Sequence, residues 1–191
     1  GGARAEEGDF SSAGAARIRS LRQLIGHQAQ MTLGPDGYQR GVLSGSPASG
    51  NWLYGFEWLN NNGPWQVPER NRKLNGVLRL SEGTAQDGFS VAAMAYRNAW
   101  TSTDQIPQRA LDQGLISRYG SLDPKSGGVT SRYSLSGEWA RSHADSQTRA
   151  NVWLLQSALD LWSNFTYCLN DATLNCDTGD QFKQSERRLA A

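Results

Sequence analysis

From Tyr133 onward every second residue is apolar or small: Tyr133, Leu135, Gly137 and Trp139, separated by Arg132, Ser134, Ser136 and Glu138. After the polar cluster Ser142–Gln147 a second run reads Trp153, Leu155, Ser157, Leu159 and Leu161 at the same spacing. Side chains alternate across a strand, so a period of two marks a strand with one apolar and one polar side. The rhythm recurs upstream. Residues 72–80 put Leu74, Gly76, Leu78 and Leu80 on one side and Lys73, Asn75 and Arg79 on the other, with Val77 the exception. Residues 52–58 put Trp52, Tyr54, Phe56 and Trp58 together, opposite a mixed face of Leu53, Gly55, Glu57 and Leu59. Such runs, punctuated by turn residues, predict strands at about 26–33, 38–46, 51–60, 72–81, 88–98, 131–142 and 148–163, with another starting near 182.

The connectors sort by length. GPDG (34–37) and SPASG (46–50) are short, and from there the long stretches 60–71, 99–130 and 170–180 alternate with the short ones 81–88 and 142–147. In an antiparallel meander alternate connectors fall at opposite ends, so the long ones gather at one end. Short turns on one side and long loops on the other are the asymmetry of an outer-membrane β-barrel. The long stretch 99–130 holds one helical signal, Pro107 at a helix start and Gly114 at its stop.

Composition fits a sheet that is wet on one side. Only 38% of the 191 residues are hydrophobic, yet seven are tryptophan, and mean hydropathy is −0.59. In a membrane barrel the apolar face meets lipid and the polar face meets the lumen. The lipid-facing set expected on this basis is Trp52, Tyr54, Phe56, Trp58, Leu74, Leu78, Tyr133, Leu135, Trp139, Trp153, Leu155 and Leu159. Trp153 and Phe165 share a parity, and their spacing is roughly 30 Å along the normal at ~3.3 Å per residue and ~40° tilt, near the ~25 Å height of an apolar band. The same alternation also suits a half-buried sheet in a water-borne protein. No run approaches the ~18 apolar residues of a transmembrane helix. The opening GGARAEEGDF has no initiator Met, basic region or apolar leader and, like the closing SERRLAA, reads as cut from something longer. Net charge is +1, which suggests no nucleic-acid partner.

The residues call for no covalent chemistry, cofactor or metal, and nothing points to an enzyme. There are two histidines: His143 falls in a short turn, and His27 begins the first strand, facing the lumen or the interface. A nucleophile, base and orienter in concert are not apparent. GSPASGN (45–51) has the glycines of a phosphate loop but Asn where Lys is required. Asp171, Asp177 and Asp180 lack the spacing and closing Glu of a calcium loop. Cys168 and Cys176 either close a small loop in an oxidising compartment or stay free thiols. The candidates for binding a small molecule are Trp65 and Trp100 at strand tips, Tyr119 in the long loop, and Arg109 and Arg118 near it. Such aromatics and guanidinium groups grip sugars or anionic chelates. They equally pack loops on one another or form an interfacial belt.

Segment 6–19, EEGDFSSAGAARIR, resembles the end of the plug domain of TonB-dependent outer-membrane receptors. The stretches NNGPWQVPERNRKLNGVLRLSEG (61–83), STDQIPQRALDQGLISRYGSLDP (102–124), RYSLSGEW (132–139), LWSNFTYCL (161–169) and GDQFKQSERR (179–188) resemble the first barrel strands and loops of that family, in order. The resemblance implies a plug end over 1–22 and an incomplete barrel over 23–191, seven or eight of about 22 strands. It implies an all-β fold in the bacterial outer membrane and energy-driven uptake of a scarce solute such as an iron chelate, cobalamin or an oligosaccharide. The implied partners are the TonB complex, through a segment absent from this chain, and outer-membrane lipid. The long-loop end would then be extracellular. A passive porin-like channel and a soluble β-rich carbohydrate-binding module are the alternatives.

Overall fold

The computed structural model describes residues 21–102, 105–164 and 181–191. Segment 6–19, Phe165, Cys168, Cys176 and the acidic stretch 170–180 lie outside these residues. The strands are β1 (His27–Leu33), β2 (Gln39–Gly45), β3 (Trp52–Asn61), β4 (Asn71–Gly83), β5 (Gly88–Thr101), β6 (Gly127–Ser142), β7 (Gln147–Ser163) and β8 (Phe182–Ala190). Each pairs antiparallel with its sequence neighbours in one sheet ordered β1 to β8. The protein is therefore all-β, a single meander whose edge strands β1 and β8 are not joined to each other.

Tight turns close one end. Thr84 Oγ1 accepts the backbone N–H groups of Gln86 and Asp87 at 3.2 and 3.0 Å, fixing the β4–β5 turn. The β6–β7 turn closes with His143 N–H donating to Ser146 O at 2.8 Å. The long connectors 62–70 and 102–126 lie at the opposite end, together with the 34–38 turn. In the longest connector the helix α1 (Gln108–Asp112) follows Pro107, and Gly114 ends it with φ +67°. The expected sorting of connectors thus holds for the described residues. β6 begins four residues earlier than the alternation suggests, because Gly127 and Gly128 look like turn residues yet pair with Thr101 and Trp100.

Register assigns each residue to a face, since directly paired residues point the same way. One face carries Met31, Leu43, Trp52, Tyr54, Phe56, Trp58, Leu74, Leu78, Val91, Tyr133, Leu135 and Trp139. The other carries Arg40, Glu57, Lys73, Asn75, Arg79, Ser90, Tyr96, Asn98, Arg132, Ser134 and Glu138. Nothing covers the apolar face among the described residues: Leu135 is 52% exposed and Val152 71%. The buried hydrophobic residues are Leu53, Ala110 and Ala140 alone among those described. Among the described residues the sheet has no core of its own.

One expected grouping is corrected. Trp153, Leu155 and Leu159 pair with Ser136, Ser134 and Thr130, and so stand on the polar face. The residues of β7 that share the face of Leu135 are the even ones, among them Ala150, Val152, Leu154, Gln156 and, toward the long-loop end, Asp160 and Trp162. The physical reason is the turn: Ser142 pairs with Gln147, so every odd residue of β6 faces an even one of β7. The run Val152–Leu155 is apolar at both parities, so alternation alone does not choose between them. Cysteine pairs test this register. In the full-length protein L135C/L154C is expected to cross-link on mild oxidation, because the two residues face each other, while L135C/L155C stays reduced. The reverse pattern on a non-reducing gel would shift β7 by one residue.

Candidate functional site

The polar face is built from charge networks and hydroxyls. Arg40 Nε and Lys73 Nζ both reach Glu57 Oε1, at 2.7 and 3.1 Å. The two cations flank Leu59 on neighbouring strands, so one carboxylate serves both. Nearer the short-turn end, Arg79 is only 6% exposed. It donates to Ser90 Oγ at 2.9 Å and Glu138 Oε2 at 3.2 Å, and reaches the backbone O of Leu21 at 3.2 Å. Arg22 donates to Phe89 O at 2.9 Å and Glu82 O at 3.3 Å. Leu24 N–H donates to Ser46 Oγ at 3.0 Å. Segment 21–24 is thereby fastened along the short-turn rim, with Leu21 held against the polar face. A pocket of about 490 Å³ beside it is lined by Arg22, Arg79, Glu138 and Arg149 among others.

At the opposite end the connectors are laced together. Asn62 N–H donates to Asp36 O at 3.1 Å, Gln66 N–H to Tyr119 O at 2.9 Å, and Thr101 N–H to Glu69 O at 2.6 Å. Buried Asp123 accepts from Lys125 N–H at 2.9 Å and from the Gln181 amide at 3.3 Å, tying the β5–β6 connector to the start of β8. Of the predicted binding aromatics, Trp65 and Tyr119 meet with ring centroids 6.0 Å apart and planes at 53°. Trp65 Nε1 donates to Glu69 Oε1 at 2.7 Å. These two rings pack connector on connector.

Trp100 has a different setting. It stands on the polar face, and its ring lies over Gly128 of the neighbouring strand: a Cβ there would come within 2.7 Å of Trp100 Cζ2. The absence of that side chain leaves room for the edge of the indole, Cζ2 and Cη2, against Gly128. A pocket of about 380 Å³ opens beside it, lined by Glu69, Asn71, Tyr96, Asn98, Trp100, Thr101, Ser102 and Thr130. Arg109, on α1, and Arg118 are exposed and line no part of it. The sequence singled out Trp100 but not Asn71, Tyr96, Asn98 or Thr130. Their common face was available in the alternation of β5, but pairing across β4, β5 and β6 was needed to bring them together. A second pocket adjoins it at Tyr96 and Thr130, and holds Arg132, Ser157, Glu186 and Arg188.

His27 and Tyr54 stand on the apolar face, not the polar one. Their rings stack at 5.9 Å, and His27 Nδ1 lies 2.8 Å from the Tyr54 hydroxyl. Trp52, Phe89 and Trp139 lie toward the same end of that face, Phe89 directly opposite Trp139. His143 is exposed in its turn.

Searches for similarity find no matching family model, curated protein or solved structure.

Substituting Gly128→Ala tests the seat of Trp100. The added methyl overpacks against the indole and the Asp160 carbonyl, so a loss of about 1–3 kcal/mol is expected. The Trp100 contribution to fluorescence, read as the difference from W100F, should shift to the red. An unchanged spectrum and stability would mean the ring lies elsewhere.

Proposed function

We propose that this chain is a section of an outer-membrane β-barrel, the end of a plug and the first strands of a TonB-dependent receptor, which takes up a scarce solute. One observation carries the membrane part of this reading. On the apolar face of β4, Leu74, Gly76, Leu78 and Leu80 lie between Arg72 and Glu82, ten residues apart. At ~3.3 Å per residue and ~40° tilt the two charges are separated by roughly 25 Å along a bilayer normal, the height of a barrel's apolar band. Arg97, opposite Leu74, sits one step inside the long-loop rim, close enough for a long side chain to extend to the interface.

Three further features support it. His27, Tyr54, Trp52, Phe89 and Trp139 cluster toward the short-turn end of the apolar face, where a barrel carries an aromatic girdle. The apolar face has no covering layer among the described residues, whereas a soluble carbohydrate-binding module would need a second layer over it. Segment 21–24 leaves the polar face at the short-turn end, the course expected of a chain passing from a plug inside the lumen to the first strand. The plug itself, the receptor family and the energy source rest on the resemblance of 6–19 and the later stretches.

In this reading the two free edges pair with further strands, the long-loop end faces outward and binds the solute, and the short turns face the periplasm. A TonB complex displaces the plug to admit the solute. No covalent chemistry is required of the residues seen here.

Paired arginine substitutions test the reading. In the full-length protein folded into lipid vesicles, Leu135→Arg is expected to cost ~2–4 kcal/mol if near the midplane, whereas Ser134→Arg, on the lumen side, should cost much less. Urea titrations of tryptophan fluorescence give both values. Equal costs, or a larger one for Ser134→Arg, would remove the case for lipid on the apolar face.

A further inference from the structure

We infer that the pocket beside Trp100 is a subsite for a neutral, hydroxyl-rich ligand, a saccharide unit, which narrows the solute class and rests on the transporter reading above. Its chemistry separates the candidates. No lysine or arginine lines it, and its one ionisable acid, Glu69, makes it unfavourable for an anionic chelate. Of the cations beside it on that face, Lys73, opposite Asn98, is engaged by Glu57, Arg132 stands opposite Tyr96 in the adjoining pocket, and Arg188 there is paired with Glu186. What remains is an indole, a phenol, two carboxamides and the hydroxyl residues Thr101, Ser102 and Thr130.

That combination suits a sugar ring, which has an apolar C–H face and an equatorial rim of hydroxyls. Trp100 offers the flat partner for the C–H face. Asn71 and Asn98 offer both donors and acceptors to the rim, and Glu69 accepts. The pocket volume of about 380 Å³ lies within the ~300–1,000 Å³ of small-molecule sites.

A second observation points the same way. Asn71 Oδ1 and Asn98 Oδ1 are closed to solvent and have no hydrogen-bond partner among the described residues. Leaving an acceptor in that condition is unfavourable, and groups of this kind in a folded protein call for a partner. In the proposed subsite a ligand hydroxyl supplies the missing donor, the amides turning about Cβ–Cγ to meet it. The two amides stand on adjacent strands of one face, at the end where the connectors are laced and where an incoming solute would first meet the lumen.

Calorimetric titration of the full-length protein in detergent tests this, with maltohexaose, cellohexaose and xylohexaose as neutral probes, and ferric citrate and cyanocobalamin as competitors of other classes. The expected result is binding of at least one oligosaccharide, weakened tenfold or more by Trp100→Ala and by Asn98→Ala, and unchanged by Arg109→Ala. Circular dichroism and heat-shifted gel mobility establish that each variant is folded, and Asn71→Ala gives an independent reading should Trp100→Ala misfold. Binding of ferric citrate or cyanocobalamin with no oligosaccharide bound overturns the inference. So does oligosaccharide binding that neither asparagine substitution affects. Membrane fractionation separates this failure from that of the transporter reading. A protein found in the outer membrane that binds none of the oligosaccharides overturns the saccharide site alone, and a protein found elsewhere overturns the transporter reading and the site with it.

Discussion

An eight-stranded sheet with no second layer among the described residues depends on what solvates its apolar face. Backbone pairing satisfies the strand interiors, but hydrogen bonds exchanged with water contribute little net stability, and among the described residues the hydrophobic burial that drives folding elsewhere is missing. Leu53, Ala110 and Ala140 are too few to supply it. Instead, leucine, tryptophan and phenylalanine side chains stand half-exposed across the width of the sheet. A face of that extent is stable only against something apolar, and in the proposed membrane setting that is hydrocarbon between Arg72 at one rim and Glu82 at the other. The polar face solves the converse problem. Its charges are compensated sideways, Glu57 between Arg40 and Lys73, and Arg79 against Glu138, so that they stand without a hydrophobic cover.

The two ends of the sheet are built for different work. At the short-turn end, Arg79 of the sheet holds the segment before β1 by the Leu21 carbonyl, and Arg22 of that segment reaches back to the Glu82 and Phe89 carbonyls of the sheet. The first contact needs only a backbone carbonyl of the segment, whereas the second needs the arginine at position 22. At the other end, backbone hydrogen bonds between connectors and the Trp65–Tyr119 contact make one laced unit of separate loops. A ligand site placed there, on strand residues such as Asn98 and Trp100 with loop residues above them, gains rigidity from the sheet and access from the loops.

Much of this was readable along the chain. The eight strands, the sorting of connectors by length and the shared face of Trp52 to Trp58 with Leu74, Leu78, Leu135 and Trp139 follow from a period of two and from glycine, proline and aspartate punctuation. Two places resisted. At Gly127–Gly128 the local signal was that of a turn, and strand pairing overrode it because the indole of Trp100 needs the space a side chain would take. At Val152–Leu155 four apolar residues in succession satisfy either parity, and only the pairing of Ser142 with Gln147 decides that Leu154, not Trp153 or Leu155, joins Leu135.

The sequence alone determined which segments extend, where they turn and, for most strands, which side is apolar, because these depend on neighbours within a few residues. Tertiary structure decided the absolute register of β7, the stacking of His27 on Tyr54, and the meeting of Asn71, Asn98, Trp100 and Thr130 around one pocket. Those depend on distances between strands far apart in the chain. A one-residue slip inverts every side chain of a strand while leaving its own pattern of alternation intact, so no local reading can detect it.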